Sequence, residues 1–208
     1  MKPGSRAFVR LLKVALWPLC LTPAFLLILS VFQLYGFELG ANPIEEILHT
    51  LGKWGLKFLL ITLAITPLRH WTGLNWLLQF RRMLGLFAFF YVLMHFLVYF
   101  VLDQTLDFSA VFEDIVERPY ITLGMTALTL LLPLVITSTN AMRRRLGKRW
   151  ARLHQLIYPI AILGVWHFYW QVKLDTLEAT FYAAVLVVLL AYRLWLRRQK
   201  SSKARVPL

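Results

Sequence analysis

Residues 84–102 read LGLFAFFYVLMHFLVYFVL, without one formally charged side chain and with His95 near the middle. A helix needs about 20 predominantly apolar residues to cross about 30 Å of hydrocarbon, and this stretch meets that length. Five further runs resemble it, giving candidate spans at about 14–34, 51–68, 84–102, 121–137, 150–170 and 177–195. The expected fold is all-α, a polytopic membrane helix bundle of about six spans in one domain over residues 1–208. Composition agrees: 59% of the chain is hydrophobic and the mean hydropathy is +0.63, more apolar surface than a soluble domain of 208 residues could hide. Pro18, Pro23, Pro133 and Pro159 fall inside candidate spans, where neighbouring helices can satisfy the carbonyls they free.

The net charge of +13 would suggest nucleic acid in a soluble protein. Here the basic runs lie between spans and act as a topology signal, so no nucleic-acid partner is expected. If both termini and the second and fourth connections share one side, that side holds every basic residue except Lys53, Lys57, Arg118 and Lys173. All ten acidic residues fall on the other. This segregation predicts an even number of helices with both termini in the cytoplasm. The N-terminal MKPGSRAFVRLLKVALWPLC resembles a signal peptide, but no small-residue cleavage signal follows and the apolar run continues, so it reads as an uncleaved first helix.

Several chemistries find no anchor. Cys20 is the single cysteine, which excludes a CxxCH haem attachment and a cysteine-ligated iron–sulfur cluster. Walker, GxGxxG and HExxH motifs are all missing. No connection is long enough for a catalytic domain; the largest, about 103–120, fits a short amphipathic piece at FSAVFEDIVE. GMTALT, at 124–129, offers small residues for helix packing but reads more simply as membrane filler.

The histidines carry the chemical signal, because an ionisable ring in hydrocarbon is costly and needs a role. His95 lies just beyond the middle of the third span. His154 and His167 stand at opposite ends of the fifth, 13 residues apart, or roughly 20 Å along a helix. By depth, His95 pairs best with His167, and two imidazoles on facing helices are a standard way to hold a b-type haem. His154 lies on the inner side. His70 and His49 read as interfacial, and His70 reaches His154 only if the second helix extends or tilts. On an ideal helix His154 and His167 face directions about 140° apart, with Pro159 between them. Arg81, 14 residues before His95, returns to nearly the same face, where it either neutralises a propionate or flavin phosphate or snorkels to headgroups. The tryptophans mostly mark interfaces.

Four segments, ITLAITPLRH (61–70), RRMLGLFAFFYVLMH (81–95), ITSTNAMRRRLGKRWARLHQLIY (136–158) and VWHFYW (165–170), together resemble the haem-binding membrane subunits of bacterial periplasmic methionine sulfoxide reductase systems, within the ferric-reductase-like transmembrane family. The resemblance covers nearly the whole chain. It implies a multi-pass protein of the bacterial inner membrane that passes electrons from the quinone pool or a cytoplasmic flavin reductase to a molybdopterin-containing periplasmic partner. That partner would carry out the sulfoxide reduction. It further implies haem b, one or two per chain, with His95 and His167 as the matching ligand pair and His154 as the histidine of a second site. FMN is implied as an additional cofactor. Arg81 occupies the third-helix position that faces the inner station, where relatives carrying flavin domains have a histidine. Arg81 and His70 are thus candidate inner-side contacts, and Arg81, Arg82, Arg149 and Arg152 are candidates for FMN phosphate or propionate.

Two other classes compete. A proton-coupled transporter would use the intramembrane histidines as relays, but every Asp and Glu stands at or beyond the exterior ends of the spans, which leaves no carboxylate path. A non-redox anchor leaves three spanning histidines without a role.

Overall fold

The computed structural model describes residues 2–172 and 176–203. Lys173, Asp175 and Arg205, which entered the charge count, lie outside the described residues. Among those described there are nine α-helices and no strand: α1 (Arg6–Val31), α2 (Pro43–Thr72), α3 (Arg81–Val98), α4 (Phe108–Glu117), α5 (Pro119–Ile136), α6 (Asn140–Leu146), α7 (Lys148–Leu153), α8 (Ile157–Gln171) and α9 (Leu177–Lys203). A 3₁₀ segment leads into α3 and a π turn, Tyr99–Asp103, ends it.

Among the described residues five helical units are long and apolar enough to cross a bilayer: α1, α2, Asn75–Asp103 around α3, α5 and α9. The sixth span, expected as one helix over 150–170, is instead α7, a 3₁₀ turn at His154–Leu156, and α8. Pro159 explains the break. It has no N–H for the carbonyl of Gln155, and its ring crowds that carbonyl, so the chain tightens before α8 begins. Large apolar side chains cover the outside of the bundle, among them Phe25, Ile136, Val187 and Val188. A surface of this kind is stable in lipid rather than water. The fold is therefore an all-α polytopic membrane bundle of about six spans.

Local chemistry sets the helix ends. Asn42 caps α2 through Glu45 N, Pro43 opens it, and Glu45 and Glu46 lie in the first turn beside the positive end of the helix dipole. Arg69 and His70 occupy its last turn, and Gly73 closes it at φ 71°, the left-handed conformation that glycine adopts freely. One end of α2 is thus acidic and the other basic. Asp107 caps α4, and the loop behind it is tied to buried Asp114, which accepts from Tyr99 Oη at 2.9 Å and Gln104 Nε2 at 3.1 Å and pairs with Arg118 at 3.1 Å.

α2 is the central helix, packed along α3 and touched by α1, α8 and α9. It lies tight against α3 at Gly55, where an added Cβ would stand 2.7 Å from Val92 Cγ2; small residues let membrane helices approach in this way. α5 and α8 form a second antiparallel pair. α1 is peripheral, yet Tyr91 of α3, fully buried, pins it: the hydroxyl donates to Cys20 O at 2.8 Å and accepts from Ala24 N at 3.2 Å. These two groups belong to one i to i−4 step of α1, so the phenol engages the ladder of α1 next to Pro23.

Candidate functional site

α2, α3, α5 and α8 enclose a cavity of about 410 Å³ that reaches the acidic end, where Asn42, Glu45 and Asp103 line it. Its inner walls are apolar and built with small residues, including Gly52, Gly55, Ala88, Gly124, Ala127 and Gly164. Polar side chains, Asn42, His49, Lys53, Asp103, Arg118 and Gln171, gather at its mouth. His95 from α3 and His167 from α8 meet across this space, with ring centroids 6.1 Å apart and planes at 79°. Of the sequence candidates, this is the pair that the fold brings together.

Each ring is fixed the same way. His95 Nδ1 lies 2.9 Å from Leu48 O, and His167 Nδ1 lies 2.7 Å from Tyr120 O. A carbonyl only accepts, so in both rings Nδ1 carries the proton and Nε2 keeps its lone pair. Nε2 has no hydrogen-bond partner among the described residues.

A main-chain carbonyl inside a helix is normally screened by the side chain four residues on. Here that residue is glycine in both helices, Gly52 after Leu48 and Gly124 after Tyr120. A Cβ at Gly52 would stand 3.2 Å from His95 Nδ1, and one at Gly124 would stand 2.9 Å from His167 Nδ1. The two halves even share their spacing, each histidine following its carbonyl partner by 47 residues. Gly124 opens the GMTALT segment that reads as filler, so neither glycine was singled out from sequence. The equal spacing of the two carbonyl–glycine–histidine sets was the signal available.

The basic end is arranged differently. His154 Nε2 lies 3.0 Å from Thr137 Oγ1, whose own proton goes to Pro133 O at 2.6 Å, so His154 is the donor. Its ring stacks on Trp150 with centroids 3.9 Å apart, and Trp150 Nε1 donates to Thr137 O. Arg81 is partly buried, and its charge acts on both His154 and Arg193. Arg82 is exposed beside Asn140, and Arg149 and Arg152 are exposed on α7. His70, also exposed, bonds Tyr192 through Nδ1 at 2.7 Å; among the described residues no hydrogen bond or ring contact joins it to His154.

His49, read as interfacial, stands at the cavity mouth with its Nε2 2.7 Å from Gln171 Nε2. Lys53 also lines the mouth and pairs with Glu178 at 2.6 Å. Neither was predicted as a site residue, since each sits among ordinary rim charges.

The donor set limits the chemistry. No group of three or more metal-ligating side chains occurs among the described residues, so the pair cannot complete a protein-only metal cage of the usual kind. A metal between two imidazoles would have to bring its remaining donors with it, as a macrocycle does. Metal–imidazole bonds are roughly 2 Å, so two of them plus the reach from each nitrogen to its ring centre come to about the observed spacing. The cavity falls in the size range of small-molecule and cofactor pockets.

Residues 51–165 match the family model described as ferric reductase like transmembrane component. That defines the class; the matched region contains α3 and α5 whole and α2 and α8 without their outer ends, so His167 lies two residues beyond it. More specific relatives carry the printed name "Protein-methionine-sulfoxide reductase heme-binding subunit MsrQ". The protein of that name from Rhodospirillum rubrum is 50% identical over 198 residues, 94% of both chains. The one from Xanthomonas oryzae pv. oryzae is 50% identical over 86% of this chain and 84% of its own, and the one from Xanthomonas campestris pv. campestris is 55% identical over 76% and 73%. The chain belongs to this MsrQ family, within the ferric-reductase-like transmembrane proteins, and is a multi-pass protein of the bacterial inner membrane. No solved structure matches it.

Proposed function

We propose that the chain is the electron-transfer subunit of a methionine sulfoxide repair system and that His95 and His167 hold a b-type haem between α3 and α8. The observation that carries this reading is the facing pair of imidazoles, each with Nδ1 tied to a carbonyl and Nε2 left as the ligating nitrogen. When bound, haem supplies a one-electron redox couple. The chain supplies everything else. Leu48 and Tyr120 fix tautomer and ring orientation and raise the basicity of the ligand nitrogen. Gly52 and Gly124 admit the rings to those carbonyls, and the apolar walls would exclude water from the bound group. With His95 and His167 both serving as ligands, the site would favour electron transfer over binding of small gases.

Electrons would enter at the arginine-rich end, from the quinone pool or a cytoplasmic flavin reductase. They would leave at the acidic end toward a molybdopterin-containing periplasmic partner that reduces methionine sulfoxide. Catalysis belongs to that partner. Both termini would lie in the cytoplasm, because the basic residues gather at that end. A second haem at the inner station would use His154 with Arg81 nearby. Ligation there through Nε2 requires His154 to leave Thr137, a rearrangement that the outer pair does not need. FMN would find its phosphate partners among Arg81, Arg82, Arg149 and Arg152.

The test is haem per polypeptide by pyridine haemochrome, with reduced-minus-oxidised spectra, on protein purified in mild detergent. Wild type should bind haem b, and His95→Ala and His167→Ala should lose it. Well-folded wild-type protein without haem would sink the proposal and bring back the transporter and anchor readings.

A further inference from the structure

We propose that Arg193 and Arg197 of α9, with Tyr158 of α8, form a binding site for a phosphate group at the basic end of the bundle. This site is separate from the His95–His167 cavity and does not rest on the haem assignment.

Arg193 is only 8% exposed. Its Nη1 donates to Tyr158 Oη at 2.7 Å, and its Nη2 donates to Leu63 O at 2.7 Å and Thr66 Oγ1 at 3.0 Å. Every one of these partners is neutral, and Nε is buried with no partner. No carboxylate pairs with Arg193 among the described residues. A guanidinium taken out of water without a counter-charge is costly, and a spare donor adds to that cost.

Arg197 makes the arrangement harder to explain as structure alone. It stands one turn further along α9, where like charges four residues apart repel. Yet both guanidinium groups lie over the same Tyr158 ring, at 5.2 and 5.6 Å from its centroid. Arg81 adds a third positive charge to the neighbourhood. Two cations held against one phenol, with a third nearby, describe a site that an anion would complete.

The size and chemistry of the cleft choose the anion. Thr66, Tyr158, Arg193, Leu196 and Arg197 line a space of about 160 Å³, well below the roughly 300 Å³ at which pockets begin to enclose drug-sized ligands. It admits a headgroup and not a fused ring system. Planar guanidinium forks and a hydroxyl suit the oxygens of a phosphate. At the basic end of a spanning helix the group at hand is the phosphodiester of an anionic phospholipid, whose headgroup lies at that depth.

The test uses full-length protein in detergent, stripped of lipid, with binding read by native mass spectrometry and by titration. Phosphatidylglycerol is compared with phosphatidylcholine. Saturable binding should prefer phosphatidylglycerol, Arg197→Gln should weaken it about tenfold, and Arg193→Gln should weaken it further. Because Arg193 is buried and its variant can fail to fold, exposed Arg197 carries the decision, with thermal unfolding as the check on its fold. Equal binding by wild type and Arg197→Gln, or no preference for phosphatidylglycerol, overturns the proposal.

Discussion

His95 and His167 give Nδ1 to main-chain carbonyls and leave Nε2 without a protein partner, whereas His154 commits Nε2 to Thr137 and lays its ring on Trp150. The first two border a cavity with glycine walls, and the third is packed into a polar cluster at the rim. Residue type is the same at both ends of the bundle, so the environment assigns the role. A backbone acceptor on one ring nitrogen prepares the other to ligate. A hydroxyl acceptor on Nε2, together with a stacked indole, holds the ring of His154 in place. The station at the acidic end presents two Nε2 atoms without a partner among the described residues, and the other presents its Nε2 already bonded.

The sharpest way to break this comparison is to delete the imidazoles singly. His95→Ala and His167→Ala should each abolish nearly all b-type absorbance, because on the proposed reading a single imidazole would be left to hold the group. His154→Ala should leave most of it. If His154→Ala removes as much haem as His167→Ala, the two stations are equivalent and the contrast drawn from Thr137 is wrong.

The next effect in size tests the carbonyl partners. Gly124→Ala puts a Cβ 2.9 Å from His167 Nδ1, and Gly52→Ala puts one 3.2 Å from His95 Nδ1. The first must displace the ring, and the second requires a shift of only a few tenths of an ångström. Losing the outer partner of a metal-bound histidine typically costs about 10- to 100-fold in affinity. Gly124→Ala should therefore reduce retained haem strongly and Gly52→Ala mildly, as measured by haem stoichiometry after dilution into apo-myoglobin as a competing acceptor. Equal retention in both variants would mean that the rings do not depend on these carbonyls.

A subtler change addresses the other station. Thr137→Val keeps the volume of the side chain and removes the oxygen, freeing His154 Nε2. If Thr137 restrains His154 from ligation, the variant should bind added haemin at least as well as wild type, and any extra haem should vanish in the Thr137→Val, His154→Ala double variant. A decrease in haem instead would assign Thr137 a supporting role in binding.

How far these arrangements were legible in the sequence differs between the ends. Span number followed from hydropathy, and the pairing of His95 with His167 followed from depth alone, because helix rise converts position into height. The carbonyl partners were invisible, since Leu48 and Tyr120 act through main chain and any residue type could stand there. Gly52 and Gly124 were hidden for another reason: glycine is ordinary in membrane helices, and only its equal offset from each histidine marks it. The 3₁₀ break at His154 could be anticipated from Pro159 but not located. Arg193 was counted as one more inner-side charge, because composition cannot show that a side chain at the end of a span turns inward and is buried.

Tyr91 gives the smallest effect and separates stability from site chemistry. It sits one turn before His95 on α3, yet its hydroxyl serves α1, bridging Cys20 O and Ala24 N. Tyr91→Phe keeps the ring, which stacks on Phe58 at 5.3 Å, and removes only the bridge. Two backbone groups of α1 would then lose their shared partner on α3, at a cost of about 1–3 kcal/mol. Thermal unfolding of the detergent-solubilised variant should therefore shift down by several degrees, while haem stoichiometry and spectra stay at the wild-type level. A change in the spectra without a change in unfolding would mean that α1 is coupled to the histidine pair through α3, and that the acidic-end station is not self-contained within α2, α3, α5 and α8.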